Sequence, residues 1–444
     1  MLIRELHIQN FRRFEDLKVS FEEDLTVLVA RNGQGKSSIL DAIRVLISPF
    51  VGAFDYGVSH GFDPLDCRRS VAPDSDRGKE HWPIRVEGEM VLRDLPVTGF
   101  DYKVIKVARE LGGVKRKTTV KEAADLIERG RDYQSCIHSG LTESWFILPV
   151  VAHYGPGRLW KLHKDTTGKK VLSLNRSYGY QDCLSTSSNF KQAQEWVGRA
   201  TLAKFQQIER GEPDDWGRRI NSIQSAVDAA LEEEGWSHFQ YSYDFEELSM
   251  FHPEHGRLPV SAMSSGVQAV VSLVVDLAFR CLRLNSVHAE DALSVSYGIV
   301  LIDEIEQHLH PAWQQRILPS LRKIFPMIQF IVATHSPEVL STVDSRQIRI
   351  LDNGKCYGAP AGALGAESSR LLQTVLGLKS LRPPVNEVAE LNEYLELVYT
   401  GRWMDPRAVA LRQKLDQLYQ GEEPALLEAD LQIENQEWEA AAAP

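Results

Sequence analysis

Residues 30–37 read ARNGQGKS, one substitution away from the phosphate-loop pattern G-x-x-x-x-G-K-[ST], because Ala30 stands where the first glycine is expected. Gly33 and Gly35 let backbone N–H groups turn inward around phosphate oxygens. Lys36 neutralises those oxygens, and the Ser37 hydroxyl can ligate Mg²⁺. A helix that follows aims its positive N-terminus at the same anion. Ala30 is a mild departure, since a small residue leaving a strand is accommodated wherever φ is negative.

Three later stretches carry matching chemistry. In GIVLIDEIEQHLHP, Asp303 and Glu304 stand at the exit of a hydrophobic strand, where adjacent carboxylates are costly unless they have a cation or a proton to work on. Asp303 then belongs to the Mg²⁺ shell, and Glu304 is the general base that polarises an attacking water. In FIVATHSPEVL, His335 follows another apolar strand. A lone histidine there is more often a core or capping residue, but beside the other two motifs it reads as a sensor of the γ-phosphate. In SAMSSGVQAVV, Ser264, Ser265 and Gly266 open an apolar helix whose free N–H groups and dipole suit a phosphate, although serine is also a common N-cap.

The elements needed to position these residues are legible. LIRELHIQNF and FEDLKVSFEEDLTVLVA read as short strands leading into the glycine loop, with a helix from Ser37 to about Ile47. WPIRVEGEMVLRD and DYKVIKVAREL carry strand patterns, VKEAADLIERGRD a charged helix. From Lys191 to Glu234 the pattern is helical and polar, broken by RGEPDDWG. HFQYSYDFEELSMF looks like strands, and SSGVQAVVSLVVDLAFRCLRL like a helix apolar enough to require burial. YGIVLIDE and IQFIVATHS are continuous aliphatic runs, as in central strands covered on both faces. After LRPPVNE the chain reads as two or three acidic amphipathic helices.

In this order the four motifs resemble the ABC-type ATPase head, over about residues 1 to 50 and 260 to 350. The expected fold is therefore α/β, an ABC-type P-loop ATPase head with a mixed sheet and flanking helices. In that family the signature serines close over the nucleotide held by a second head, so the resemblance implies ATP and Mg²⁺ as cofactors and a homodimer or higher homo-oligomer. The opening IQNFRRFEDLKVSF resembles the RecF, SMC and OLD group. The resemblance places Arg12, Asn32, Gly33, Gln34, Gly35, Lys36, Ser37, Ser38, Ser264, Ser265, Gly266 and Gln268 at the nucleotide, Ser37 and Asp303 at the metal, and Glu304 and His335 in catalysis. No glutamine occurs between Gln34 and Gln134, so the usual Q-loop ligand is missing or replaced, and Asp66 in DPLDCRR is the candidate replacement.

LPVVAHYGPGRLW, RSYGYQDCL and the stretch from LRPPVNE onward further resemble the ATPase subunits of Septu-type and retron-associated antiphage defence systems. That resemblance implies an HNH-type nuclease subunit as partner. OLD nucleases carry a Toprim domain after the ATPase; the tail here is too short for one and lacks a D-x-D, so no nuclease site is expected in this chain. The expected organisation is an N-terminal lobe (1–175), an inserted helical subdomain (176–240), a C-terminal lobe (241–378) and a helical tail (379–444).

At 444 residues, with 43% hydrophobic and 25% charged residues, the chain can bury a sizeable core and is neither disordered nor a disulfide scaffold. Five scattered cysteines, never spaced C-x-x-C, fit a reducing cytoplasm. The start lacks the apolar core of a signal peptide, and no apolar run reaches the roughly 18 residues of a spanning helix. The net charge of -11 disfavours indiscriminate nucleic-acid binding. A local exception is GRLWKLHKDTTGKKVLSLNRSYGY, where Arg158, Trp160, Lys161, Lys164, Lys169, Lys170 and Arg176 could grip a DNA or RNA backbone or simply form a solvated hairpin. His308 and His310 form an H-x-H without a third ligand, and their place beyond Glu304 matches the dimer-contact loop of the family. Alternative readings are a RecF-like repair ATPase that binds DNA directly, or a nucleotide-gated scaffold with little turnover.

Overall fold

The computed structural model describes residues 1–72, 75–93, 102–157, 175–186 and 190–442. A six-stranded sheet runs in the order β15 (Lys355–Gly358), β14 (Ile348–Asp352), β3 (Leu25–Ala30), β13 (Ile328–Thr334), β12 (Gly298–Ile302), β8 (Val150–Tyr154). All neighbours are parallel except β14 and β15. Strands β3, β8, β12 and β13 are buried at every position, as their unbroken aliphatic sequences require of strands covered on both faces.

The second large sheet is antiparallel, in the order β2 (Phe14–Ser20), β1 (Leu2–Phe11), β6 (Ile84–Arg93), β7 (Tyr102–Leu111). In β1, Leu6 and Ile8 turn into the core while Glu5 faces out, the alternation of a half-covered sheet. Smaller sheets pair β4 (Arg68–Ala72) with β5 (Ser75–His81), and join β9 (Ser237–Ser242), β10 (Glu247–His252) and β11 (Gly256–Pro259).

Helix α1 (Lys36–Val51) follows the glycine loop, and α2 (Ala124–His138) packs on it. The polar helical region of the sequence forms α3 (Phe190–Arg210) and α4 (Asp215–Leu231), separated at 211–214. Both pack on α5 (Ser265–Leu284), where the Trp196 and Phe279 rings lie 5.6 Å apart. Helix α5 is buried continuously from Ala269 to Leu284, and that run includes Asp276, Arg280 and Arg283, charged residues its apolar appearance does not foretell.

The chain divides into two compact units, Met1–Leu376 and Gly377–Pro444. The second holds the helices Asn386–Tyr399, Pro406–Tyr419 and Pro424–Ala442 around a core of its own that includes Leu391, Tyr394, Leu411, Leu415 and Leu426. Among the described residues no helix is long and apolar enough to cross a membrane.

Candidate functional site

The parallel register brings the chemistry to one edge of the central sheet. Strands β3, β12 and β13 lie side by side, so the glycine loop leaving Ala30, the carboxylates after Ile302 and the histidine after Thr334 emerge at the same C-terminal edge. Ala30 stays in extended conformation at the end of β3 and offers its carbonyl to Lys36 Nζ at 3.2 Å, so the missing glycine costs the loop nothing. The other two glycines are needed. Gly33 has φ 74° and Gly35 φ 100°, and a Cβ on Gly35 would sit 2.4 Å from the Phe14 ring.

Lys36 is 7% exposed, and its ammonium also meets the ring of His335. Burial lowers its pKa, opposed by the charges of Asp303, Glu306 and Glu304 in turn. A buried ammonium in the field of three carboxylates has lost hydration that an oxyanion could replace. Asp303, 5% exposed, has its pKa raised by burial against the hydrogen bond from Ser37 and the charge of Lys36. A serine hydroxyl and a desolvated carboxylate in contact are the oxygen donors that suit Mg²⁺. Asn32 and Gly33 are exposed on the loop, Ser38 is buried, and Gln34 Oε1 is buried without a hydrogen-bond partner among the described residues. Loop and helix start together form the cradle expected of a phosphate site.

Glu304 has the positive φ of 48° and is partly exposed beside this cluster. Its neighbour two residues on, Glu306, is a site residue that motif reading passes over. Its Oε1 accepts the amide N–H of His335 at 2.6 Å and its Oε2 the hydroxyl of Thr334 at 2.8 Å. His335 has its pKa lowered by burial first and by Lys36 second, which keeps the imidazole neutral. Ser336, next in sequence, donates to Gln314 Oε1 at 2.6 Å. The only sequence cue to Glu306 was its acidity in a loop already rich in acids.

Arg12, at φ 52°, bonds Asp41 of α1 at 2.8 Å and Asp66 at 2.9 Å. Asp66 is thus committed to Arg12 and to the amide of Asp63. On the side away from β13, the Asp303 strand pairs with β8, whose last residue, Tyr154, accepts the Asp303 amide N–H at 2.8 Å. The position beside Asp303 therefore belongs to a segment more than 80 residues after Asp66 in sequence.

The remaining group stands at the start of α5. Ser264 is the N-cap, accepting from Val267 N at 3.4 Å, and Gln268 donates to the carbonyls of Ser261 and Met263. Ser265 is exposed, and a Cβ on Gly266 would lie 3.0 Å from the carbonyl of His308. The serine turn thus adjoins the loop after Glu304. His310 caps the short helix Pro311–Gln314, accepting from Ala312 N at 3.4 Å.

One expected contact is corrected. Arg176 is 6% exposed and donates to the carbonyls of Leu284 (2.5 Å) and Phe146 (2.8 Å) and to Asn285 Oδ1 (3.2 Å), so it is a core cross-link and offers no charge to a nucleic acid. The carbonyls at the end of α5 needed a donor, and a guanidinium reaches several at once. Arg158, Trp160, Lys161, Lys164, Lys169 and Lys170 lie outside the described residues.

Residues 1–108 match the family described as AAA ATPase domain, and residues 202–341 the family described as AAA domain, putative AbiEii toxin, Type IV TA system. The chain is similar to the Retron Ec83 probable ATPase of Escherichia coli, 26% identical over 98% of this chain and 87% of that one. Similarity extends to the Retron Vc95 probable ATPase of Vibrio cholerae, 25% identical over 79% of this chain and 73% of that one. A shorter match is to the Septu protein PtuA of Bacillus mycoides, 38% identical over 28% of this chain and 18% of that one. The fold is of the α/β P-loop type, and over most of its length the chain is similar to probable ATPases of retrons.

Proposed function

We propose that this ATPase dimerises on ATP and, in that state, senses and regulates a partner nuclease of the HNH type in defence against phage. The observation that carries the dimer is the placement of Ser264 and Ser265. They are exposed at the N-terminus of a 20-residue helix beside His308, and the described hydrogen bonds of Ser264 and Gln268 remain local. Helix-end N–H groups are strong anion donors, and here they are presented outward, as they would be to a nucleotide on a second copy. The partner rests on the similarity to retron and Septu proteins.

In this reading the loop N–H groups of residues 32–36 and Lys36 hold the β- and γ-phosphates, with Ser38 following at the helix start and Arg12 beside the nucleotide. Ser37 and Asp303 would hold Mg²⁺, which would supply positive charge to offset the charge that develops on the phosphates. Glu304 takes a proton from the attacking water. His335, neutral and fixed through Glu306, donates a hydrogen bond to the γ-phosphate. Ser264, Ser265, Gly266 and Gln268 close the site of the second copy.

The test is to tag the chain among its native gene neighbours, purify Glu304→Gln with ATP and Mg²⁺, and identify what copurifies by mass spectrometry. A dimer carrying a stoichiometric HNH-type protein supports the proposal. A monomer under ATP removes the dimer, and a dimer that retains DNA with no nuclease replaces the defence role by direct DNA binding.

A further inference from the structure

Tyr154 closes β8, and its two ends serve different elements. Its carbonyl accepts the amide N–H of Asp303 at 2.8 Å. Its hydroxyl, in a side chain 1% exposed, crosses to α5 and donates to Asp276 Oδ2 at 2.7 Å. The same carboxylate oxygen receives Arg280 Nε at 3.1 Å, and the Arg280 NH1 group reaches the carbonyls of Gly179 at 3.0 Å and Gln181 at 3.1 Å. Asp276 is fully buried and Arg280 is 3% exposed. Burial raises the tyrosine pKa well above its usual value, so the hydroxyl remains a donor.

A fully buried ion pair adds little stability over an apolar pair of the same volume. What it does add is geometry: a planar guanidinium bonded on more than one side, and one carboxylate oxygen shared by Tyr154 and Arg280, fix the rotation and register of α5 against β8. Asp276 lies about three turns along the helix that Ser265 begins. A single residue is therefore bonded at one end to the backbone of Asp303 and at the other to the body of the serine-bearing helix.

We propose that Tyr154 is a positioning residue for ATP hydrolysis, which couples the placement of Asp303 to the placement of the Ser265 end of α5 through Asp276 and Arg280. The inference rests on the ATP-bridged dimer proposed above, in which that helix end closes the site of the other copy. A shift of Asp303 on nucleotide binding is carried by Tyr154 into α5, so each site reports its occupancy to its neighbour. Without the hydroxyl both half-sites are built and bind nucleotide, but they no longer move together.

The test compares Tyr154→Phe with Tyr180→Phe in the full chain. Tyr180 is an equally buried tyrosine whose hydroxyl donates to the Pro149 carbonyl at 2.8 Å. Steady-state ATP hydrolysis, thermal unfolding, and hydrogen exchange over residues 264–272 and 298–304 with and without ATP are measured on both. Tyr154→Phe is expected to lower kcat about tenfold with KM for ATP within about twofold, and Tyr180→Phe to keep kcat within about twofold. ATP is expected to protect both segments in the wild type, but only 298–304 in Tyr154→Phe. Unchanged kcat in Tyr154→Phe, or equal losses in the two variants, overturns the coupling. A wild-type chain that binds no ATP overturns the ATPase reading itself, which is a separate result.

Discussion

Glu306 holds the backbone of His335 in place, one carboxylate oxygen accepting the histidine amide N–H at 2.6 Å and the other the hydroxyl of Thr334 at 2.8 Å. In the role proposed for it, His335 meets a γ-phosphate at hydrogen-bond range and gains from such fixing, because the orienting cost is met before substrate arrives. Glu306→Ala should therefore lower kcat roughly 10- to 100-fold while ATP affinity stays within about threefold. Glu306→Gln keeps one acceptor and should recover part of the loss. Steady-state kinetics on the pair decide it: an alanine variant with wild-type kcat would mean that His335 needs no such support.

Lys36 is the cation at the centre of this cluster. Its removal leaves Asp303, Glu304 and Glu306 without the charge that now offsets them and, in the proposed site, leaves the phosphates without their main counter-charge. Lys36→Ala should weaken ATP binding about 100-fold, equivalent to about 2.7 kcal/mol, read by calorimetric titration. Equal affinity in the variant would undo the phosphate-loop assignment.

Which parts of this site the sequence discloses follows from how local each signal is. The loop around Lys36 and the strand ends carrying Asp303 and His335 are written in contiguous runs, and period and composition suffice to place them. Glu306 acts through an amide 29 residues away, and Tyr154 through a helix more than 100 residues further on. Such pairings exist only once β12, β13 and β8 are side by side. The same reason explains Arg176. In the sequence it closes a basic stretch, but in the fold its neighbours are the carbonyls at the end of α5. Asp276 and Arg280 were hidden because their helix reads as wholly apolar around them.

Arg176 yields a prediction that separates the two descriptions of it. Replacing it leaves the carbonyls of Leu284 and Phe146 short of a donor in a dry environment, so Arg176→Ala should destabilise the chain on the order of 3 kcal/mol in denaturant unfolding. Under conditions where the variant is folded, the salt dependence of any nucleic-acid binding should match the wild type, since removing a cation that pairs with a phosphate would lower the slope by about 1. A reduced slope with unchanged stability would return Arg176 to the surface.

His153, on β8 beside Tyr154, predicts how stability varies with pH. The side chain is 4% exposed, its Nδ1 has no hydrogen-bond partner among the described residues, and burial pushes its pKa down to about 4. Asp41 opposes this shift, while Arg44 and His60 add to it. Unfolded, the imidazole titrates near its ordinary value of about 6.5, so between about pH 6.5 and 4 the unfolded chain binds a proton that the folded chain refuses. Its contribution is therefore complete above about pH 6.5 and is lost as pH falls toward 4, about 3 kcal/mol over the whole window. Between pH 7.5 and 5.0 the wild type should lose about 2 kcal/mol more in urea unfolding than His153→Gln, which cannot take up that proton. Parallel profiles for the two proteins would show that His153 is protonated, or hydrated, in the folded chain.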